Sequence, residues 1–183
     1  MIEPRKALMP DIPALLSLIN GYATDGIMLP RTELELAEQI RDFLVVDGGS
    51  AGLLGCAALH FYTPTSGEVR SLAVSPESKG MGIGRVLVEA LEKEAVQSGL
   101  VAMFAFTYVS GFFEKLGFRE VDRGLLPLKA WKDCLRCPKF QNCDEIAMLK
   151  TLQAEVERGL LLTVVGQDSG VSGGLVQLPT IRK

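Results

Sequence analysis

Residues 69–87 constrain this chain more than any other stretch. They read V-R-S-L-A-V-S-P-E-S-K-G-M-G-I-G-R-V-L. The alternating, β-branched run over residues 68–74 predicts a strand that stops at Ser75-Pro76. A turn punctuated by Gly80, Gly82 and Gly84 follows. A helical period begins at once, with Ile83, Val86, Leu87, Ala90, Leu91 and Ala95 on one stripe.

A strand, a glycine-rich turn and a helix together make an anion-binding design. Glycine lets the backbone turn tightly and approach a ligand with no Cβ in the way. The first amides of the helix lack intrahelical partners, and with the helix dipole they suit a phosphate or diphosphate. Three folds share this logic: a P-loop, a dinucleotide fold and a coenzyme A cradle. No Gly-Lys-Ser/Thr follows the turn, which excludes the P-loop. The glycines run G-x-G-x-G with none at position 85, which excludes the dinucleotide fingerprint. A plain strand-turn-helix connection with flexible glycines is the alternative to the cradle.

Lys79-Gly80-Met81-Gly82-Ile83-Gly84 resembles the acetyl-CoA motif of the GNAT N-acetyltransferases, Gln/Arg-x-x-Gly-x-Gly/Ala after a strand rich in Val and Leu. Lys79 stands where Gln or Arg is usual. A second hallmark follows in the right order and at the right separation. Phe112-Phe113-Glu114-Lys115-Leu116-Gly117-Phe118 resembles the family's short helix, which ends at Leu-Gly-Phe. The resemblance covers about residues 2–149. It implies an α/β fold: a mixed sheet of about six or seven strands with helices on both faces, split in the middle to admit acetyl-CoA. The implied contacts with acetyl-CoA are Leu72, Val74, Lys79, Gly80, Met81, Gly82, Ile83, Gly84 and Arg85. Residues 1–150 form the expected acetyltransferase domain, and residues 151–183 an appendage.

The rest of the chain fits one such domain. Residues 2–7 are a first strand candidate. Pro10-Asp11 opens a helix with Ile12, Leu15, Leu16, Ile19 and Tyr22 on one face. Thr32 and Glu35 form a capping box for a second helix, expected to run to about Arg41. Strands are expected over residues 43–47, 52–62, 100–106 and 145–149. The first two are joined by a turn at Gly48-Gly49-Ser50, and the second ends in a turn over residues 63–67. The helix from Ile83 is expected to end at Ser98-Gly99.

Local matches narrow the acceptor. Arg5-Lys6-Ala7, then Asp11 to Leu15, then Ile19-Asn20, are similar to the acetyltransferase half of bacterial N-acetylglutamate synthases. So are Met28-Leu29-Pro30-Arg31 and the strand from Glu68 to Val74. The resemblance implies an amino-acid N-acetyltransferase with glutamate as acceptor, acting in arginine biosynthesis, with Arg31 on the substrate carboxylates. A guanidinium suits that task because it makes paired, planar hydrogen bonds. The longer members also carry an amino-acid-kinase-like domain that senses arginine. It has no counterpart here, so that route to feedback inhibition is expected to be absent. They also carry a basic cluster that helps hold glutamate; Lys129 or Lys132 is the only candidate substitute.

The implied chemistry is direct attack of the α-amine on the thioester. The ammonium must lose a proton, and the carbonyl oxygen needs a donor. Glu68, at the entry of the organising strand, is the candidate base, acting through a water. The alternative is a strand-end glutamate facing solvent. Arg70 shares its face, either as a substrate ligand or as a tether for Glu68. The resemblance implies a main-chain amide near Val74 as donor to the carbonyl. Many members place a tyrosine where Phe113 stands. Tyr108 is then the nearest acid, or else an aromatic wall. A thiol with a pKa of about 8.5 leaves without much help near neutrality.

Composition excludes other classes. The net charge is −3, with no basic cluster for nucleic acid. No apolar run is long enough to span a membrane. Residues 1–6 lead into no apolar segment of a signal peptide. With four cysteines and no secretion signal, the expected setting is a reducing cytoplasm. Cys134, Cys137 and Cys143 have zinc-like spacing but supply only three sulfurs, and structural zinc takes four ligands. No obligatory metal is expected; reduced thiols or a regulatory disulfide are the other readings. Cys56 lies in an apolar strand and is read as core. The Gly/Ser/Val tail fits either a strand pairing with a second subunit, in a homodimer, or a loose segment. Two rival functions stay open: acetylation of a different small amine, and a non-catalytic coenzyme A sensor.

Overall fold

The structure is a computed structural model that describes residues 3–126 and 134–152. Seven strands form one sheet: β1 (Arg5–Lys6), β2 (Phe43–Asp47), β3 (Leu53–Thr63), β4 (Ser66–Val74), β5 (Ala102–Thr107), β6 (Arg119–Val121) and β7 (Ile146–Thr151), in the order β1-β2-β3-β4-β5-β7-β6. The helices are α1 (Ile12–Thr24), α2 (Glu33–Gln39), α3 (Ile83–Gln97) and α4 (Ser110–Glu114). This is the mixed α/β sheet expected from the sequence, with helices on both faces.

Alternation along the strands sorts the core into two layers. On one face Ile83, Leu87, Leu91 and Ala95 of α3 pack on Ala57, Leu59, Val69, Met103 and Ala105. On the other, Leu15 and Ile19 of α1 and Leu36 of α2 pack on Phe43, Val45, Cys56 and Ala58. Each fully buried Leu or Ile contributes about 1.5–3 kcal/mol. Further along this second face, Phe104, Ala147 and Leu149 form a third cluster with Leu126.

Boundaries differ from expectation where non-local pairing overrides local pattern. The first strand shrinks to Arg5–Lys6, which pairs with Val45 and Leu44; Ile2 lies outside the described residues. α2 stops at Gln39 and finishes in a 3₁₀ turn, Ile40–Asp42. The capping box forms as expected: Glu35 N–H donates to Thr32 Oγ1 at 3.2 Å, and Thr32 N–H donates to Glu35 Oε2 at 2.9 Å. The turn after β2 is longer than expected, with a 3₁₀ turn at Gly49–Ala51 and a register shift at Val46/Asp47. Ser66 and Gly67, expected in a turn, already belong to β4, because they pair with β3 on one side and β5 on the other.

Two irregularities in β4 shape the centre of the molecule. β4 runs parallel to β5 only over Ser66↔Ala102, Gly67↔Met103 and Glu68↔Phe104. Beyond Glu68 the two strands part, and the sheet opens between them. The second is a bulge opposite Ala57: Cys56 pairs with Ala73 but Ala58 with Arg70. Its centre, Ser71, has φ 49°, the only non-glycine residue with positive φ among those described. Bulges of this kind bend a strand and re-aim its groups. No described helix is long and apolar enough to cross a membrane.

Candidate active site

The opening between β4 and β5 leads to the start of α3. Gly82 is the N-cap of that helix, at φ +80°, and makes no side-chain cap. Serine, threonine or aspartate there would cap the first amides. Glycine leaves them open. The first intrahelical bond runs from Val86 N–H to Gly82 O, at 3.1 Å. The amides of Ile83, Gly84 and Arg85 precede it without intrahelical partners, with the helix dipole behind them. Gly80 is also left-handed, at φ +82°. Gly84 has a different reason to be glycine: a Cβ there would meet Phe112 Cζ of α4 at 3.3 Å. These features fit the diphosphate of a coenzyme A. Lys79 lies over the Tyr22 ring, 5.1 Å from its centre. Met81 is exposed, and Arg85 faces Glu89 at 3.5 Å on the surface of α3.

Val74 sits at the deep end of the turn. Ser75 N–H donates to Leu54 O at 2.8 Å. By the alternation of antiparallel ladders, the Gly55–Val74 pair is then the non-bonded kind. Both main-chain groups of Val74 turn away from β3. Its carbonyl accepts the Tyr22 hydroxyl at 2.6 Å. Leu72, beside the bulge, is half-buried.

Glu68 does not face solvent, as the alternative reading had it. It is 2% exposed, at the last residue that β4 pairs with β5. Arg70, two residues on, brings Nε within 3.5 Å of Glu68 Oε2. Both lie on the α1/α2 face, opposite Val69. Arg31 reaches the same face from the loop before α2. It is 9% exposed; its Nη1 donates to Gln39 Oε1 at 3.2 Å, and its Nη2 to Ser71 Oγ at 3.4 Å. Glu68, Arg70 and Arg31 thus gather under α1 and α2.

Tyr108 follows the end of β5 and precedes α4. Lys139 Nζ donates to its hydroxyl at 3.1 Å and pairs with Asp144 at 3.2 Å. Burial holds the phenol above its ordinary pKa, and the Lys139 contact opposes that shift. Phe113 is buried, edge-on to Phe112 and Phe118. It is a packing residue, as its lack of a donor requires.

Cys134, Cys137 and Cys143 are partly exposed, in and beside two 3₁₀ turns. Among the described residues no cluster of three or more His, Cys, Asp or Glu is arranged to hold a metal. Cys56 is fully buried, and desolvation pushes its thiol pKa up to about 12. Lys129, Lys132, Trp131 and the tail lie outside the described residues.

Sequence reading missed Asn20, Tyr22, Gln39 and Ser71, which hold the groups named above. It also gave His60 no role. In the sheet His60 is the cross-strand partner of Glu68. Strand alternation contained that signal, but only once the β3/β4 register was known.

The model of the Acetyltransferase (GNAT) family matches residues 15–118. An uncharacterised N-acetyltransferase of Chlorobaculum tepidum is 45% identical over 148 residues, 81% of this chain and 95% of the relative. The amino-acid acetyltransferase of Mycobacterium tuberculosis is 33% identical over 120 residues, 64% of this chain and 68% of the relative. Among solved structures, N-acetylglutamate synthase from Neisseria gonorrhoeae, complexed with coenzyme A and N-acetyl-glutamate, superposes with a TM-score of 0.75 at 27% identity. That match covers 84% of this chain but 35% of the synthase, so the chain spans about a third of its length.

Proposed function

The chain belongs to the GNAT acetyltransferase family, and from that footing we propose that it acetylates the α-amine of an amino acid, with L-glutamate as acceptor. Acetyl-CoA is the acyl donor of this reading, in line with the coenzyme A held by the solved relatives. The observation that carries the acceptor reading is the buried cluster of Glu68, Arg70 and Arg31 beside the sheet opening. Two guanidiniums on one dry face suit a dicarboxylate, because each can make paired hydrogen bonds to a carboxylate. The relatives named amino-acid acetyltransferase support the same reading.

In this scheme the amides of residues 80–85 hold the diphosphate. Leu72 and Val74 line the path of the thioester, and the Val74 N–H, turned away from β3, donates to its carbonyl oxygen as charge develops there. Arg31 and Arg70 each take one acceptor carboxylate, and the Nε of Arg70, 3.5 Å from Glu68 Oε2, also orients the base. Glu68 takes the ammonium proton through a water. The free amine attacks the thioester carbon, the carbon–sulfur bond breaks, and the electron pair leaves on sulfur. Tyr108 stands by as donor to that thiolate. It is the least demanded group, since a thiol of pKa about 8.5 leaves readily unprotonated.

Release of free thiol from acetyl-CoA tests the scheme over a panel of amino acids and simple amines. The expected result is a kcat/KM for glutamate at least tenfold above that for neutral amino acids. Preference for a neutral amine would move the chain to another acceptor class. Binding of acetyl-CoA with no turnover across the panel would make it a sensor.

A further inference from the structure

Glu68 is nearly inaccessible, so a proton that it accepts needs a way out. His60, the only histidine in the chain, is the direct cross-strand partner of Glu68 in the β3/β4 ladder. Directly opposed residues share a face, with Cβ atoms about 4.5–5.5 Å apart. On its other side His60 Nδ1 lies 3.0 Å from Asp42 Oδ2, in the 3₁₀ turn after α2. Side-chain exposure rises outward along this row: 3% for Glu68, 15% for His60 and 32% for Asp42. The imidazole is held edge-on to Tyr62, with ring centres 5.2 Å apart, and Tyr62 in turn packs on Phe104 at 5.4 Å. These aromatic rings, and Arg70 beside Glu68, frame the row.

We propose that His60 and Asp42 form a relay that carries the acceptor's proton from Glu68 to solvent. The step balances. Glu68 receives the proton of the substrate ammonium and passes it to Nε2, on the edge of the ring away from Nδ1. The imidazolium gives up the Nδ1 proton to Asp42, and Asp42 releases it to water. The imidazole returns as the other tautomer and resets through solvent. An imidazole suits this work because its two nitrogens accept and donate near neutral pH. Asp42 fixes the ring and takes the outgoing proton. Both act through Glu68 and touch no substrate, so they are positioning and relay residues. The inference rests on the reading of Glu68 as base.

The test uses the full chain, acetyl-CoA and glutamate. His60→Ala is expected to lower kcat at least tenfold, with both KM values within about twofold of wild type. Added imidazole is expected to restore much of that loss. His60→Gln, which retains polar bulk, is expected to show the same kcat loss without rescue, and Asp42→Asn a smaller loss in the same direction. Unchanged kcat in both His60 variants would overturn the relay, as would losses indifferent to imidazole with Asp42→Asn silent. Glu68→Gln separates the two readings. If it is as active as wild type, the base assignment fails and the relay with it. If it is inactive while the His60 variants are not impaired, the relay alone fails.

Discussion

The carboxamide of Asn20 clasps both main-chain polar groups of Arg31. Its Nδ2 donates to the Arg31 carbonyl at 3.0 Å, and its Oδ1 accepts from the Arg31 N–H at 2.8 Å. A loop residue is thereby registered against α1, and its guanidinium is delivered to the β4 bulge. Asn20→Ala removes two hydrogen bonds, each contributing about 1 kcal/mol. Steady-state kinetics are expected to show KM for the acceptor raised by about tenfold, with KM for acetyl-CoA unchanged.

Arg31 itself discriminates between acceptors. Lysine keeps the charge but not the planar fork. Arg31→Lys is expected to raise KM for glutamate by roughly ten- to hundredfold, which corresponds to about 1.4–2.8 kcal/mol. Turnover of a neutral amine is expected to be unaffected. Equal losses for both would place Arg31 in the frame of the fold and not in recognition.

The glycines of the turn separate into two classes. Gly82→Ala puts a side chain at φ +80°, which costs about 1–2 kcal/mol, and disturbs the open amides. Affinity for coenzyme A, read by titration calorimetry, is expected to fall. Gly84→Ala meets Phe112 at 3.3 Å. It is expected to lower the melting temperature first, with partial recovery when Phe112 is trimmed to Leu.

Acid stability has a defined contributor. Arg5 donates to both oxygens of Asp11, at 2.7 and 2.9 Å, and holds the Asp11 carboxyl below its ordinary pKa. A carboxylate depressed in the folded state adds stability above its unfolded pKa of about 3.9, and that stability is lost as pH falls through the folded value. Arg5 is 40% exposed, which screens the pair to about 1 kcal/mol. In urea melts Asp11→Asn is expected to cost that much at pH 7. The difference from wild type is expected to close as the native Asp11 protonates.

Cysteine labelling gives a direct reading of burial. The Cys56 thiol, buried and pushed up to about 12, offers almost no thiolate near neutrality. Iodoacetamide on the native protein is expected to label Cys134, Cys137 and Cys143 and spare Cys56, with all four labelled in urea. Mass spectrometry of intact protein counts the adducts.

Much of this architecture is legible in the residues. Glycines at 80, 82 and 84 between a β-branched run and a helical stripe locate the turn, and Thr32 with Glu35 locates a helix start, because both signals are local. What escapes is set by long-range register. Nothing near Glu68 announces that it lies within the sheet, because its burial comes from β3 and β5 on either side. The Ser71 bulge is equally silent: serine has no preference for positive φ, and only the unequal spacing of β4 against β3 forces it there. The motif gives the Gly84 amide a ligand contact, but not the second reason for glycine there, which lies in its side-chain space. Its space is taken by Phe112, from a helix that arrives almost thirty residues later.

Asn20 and Tyr22 sit two residues apart near the end of α1. One fastens the arginine proposed for the acceptor; the other fastens the Val74 carbonyl and carries Lys79 on its ring. The last turns of a single helix therefore support both the arginine proposed for the acceptor and the strand end proposed for acetyl-CoA. On the proposed assignment, a shift of this helix end on binding one ligand would change its companion's dissociation constant, and reciprocity would make the two factors identical.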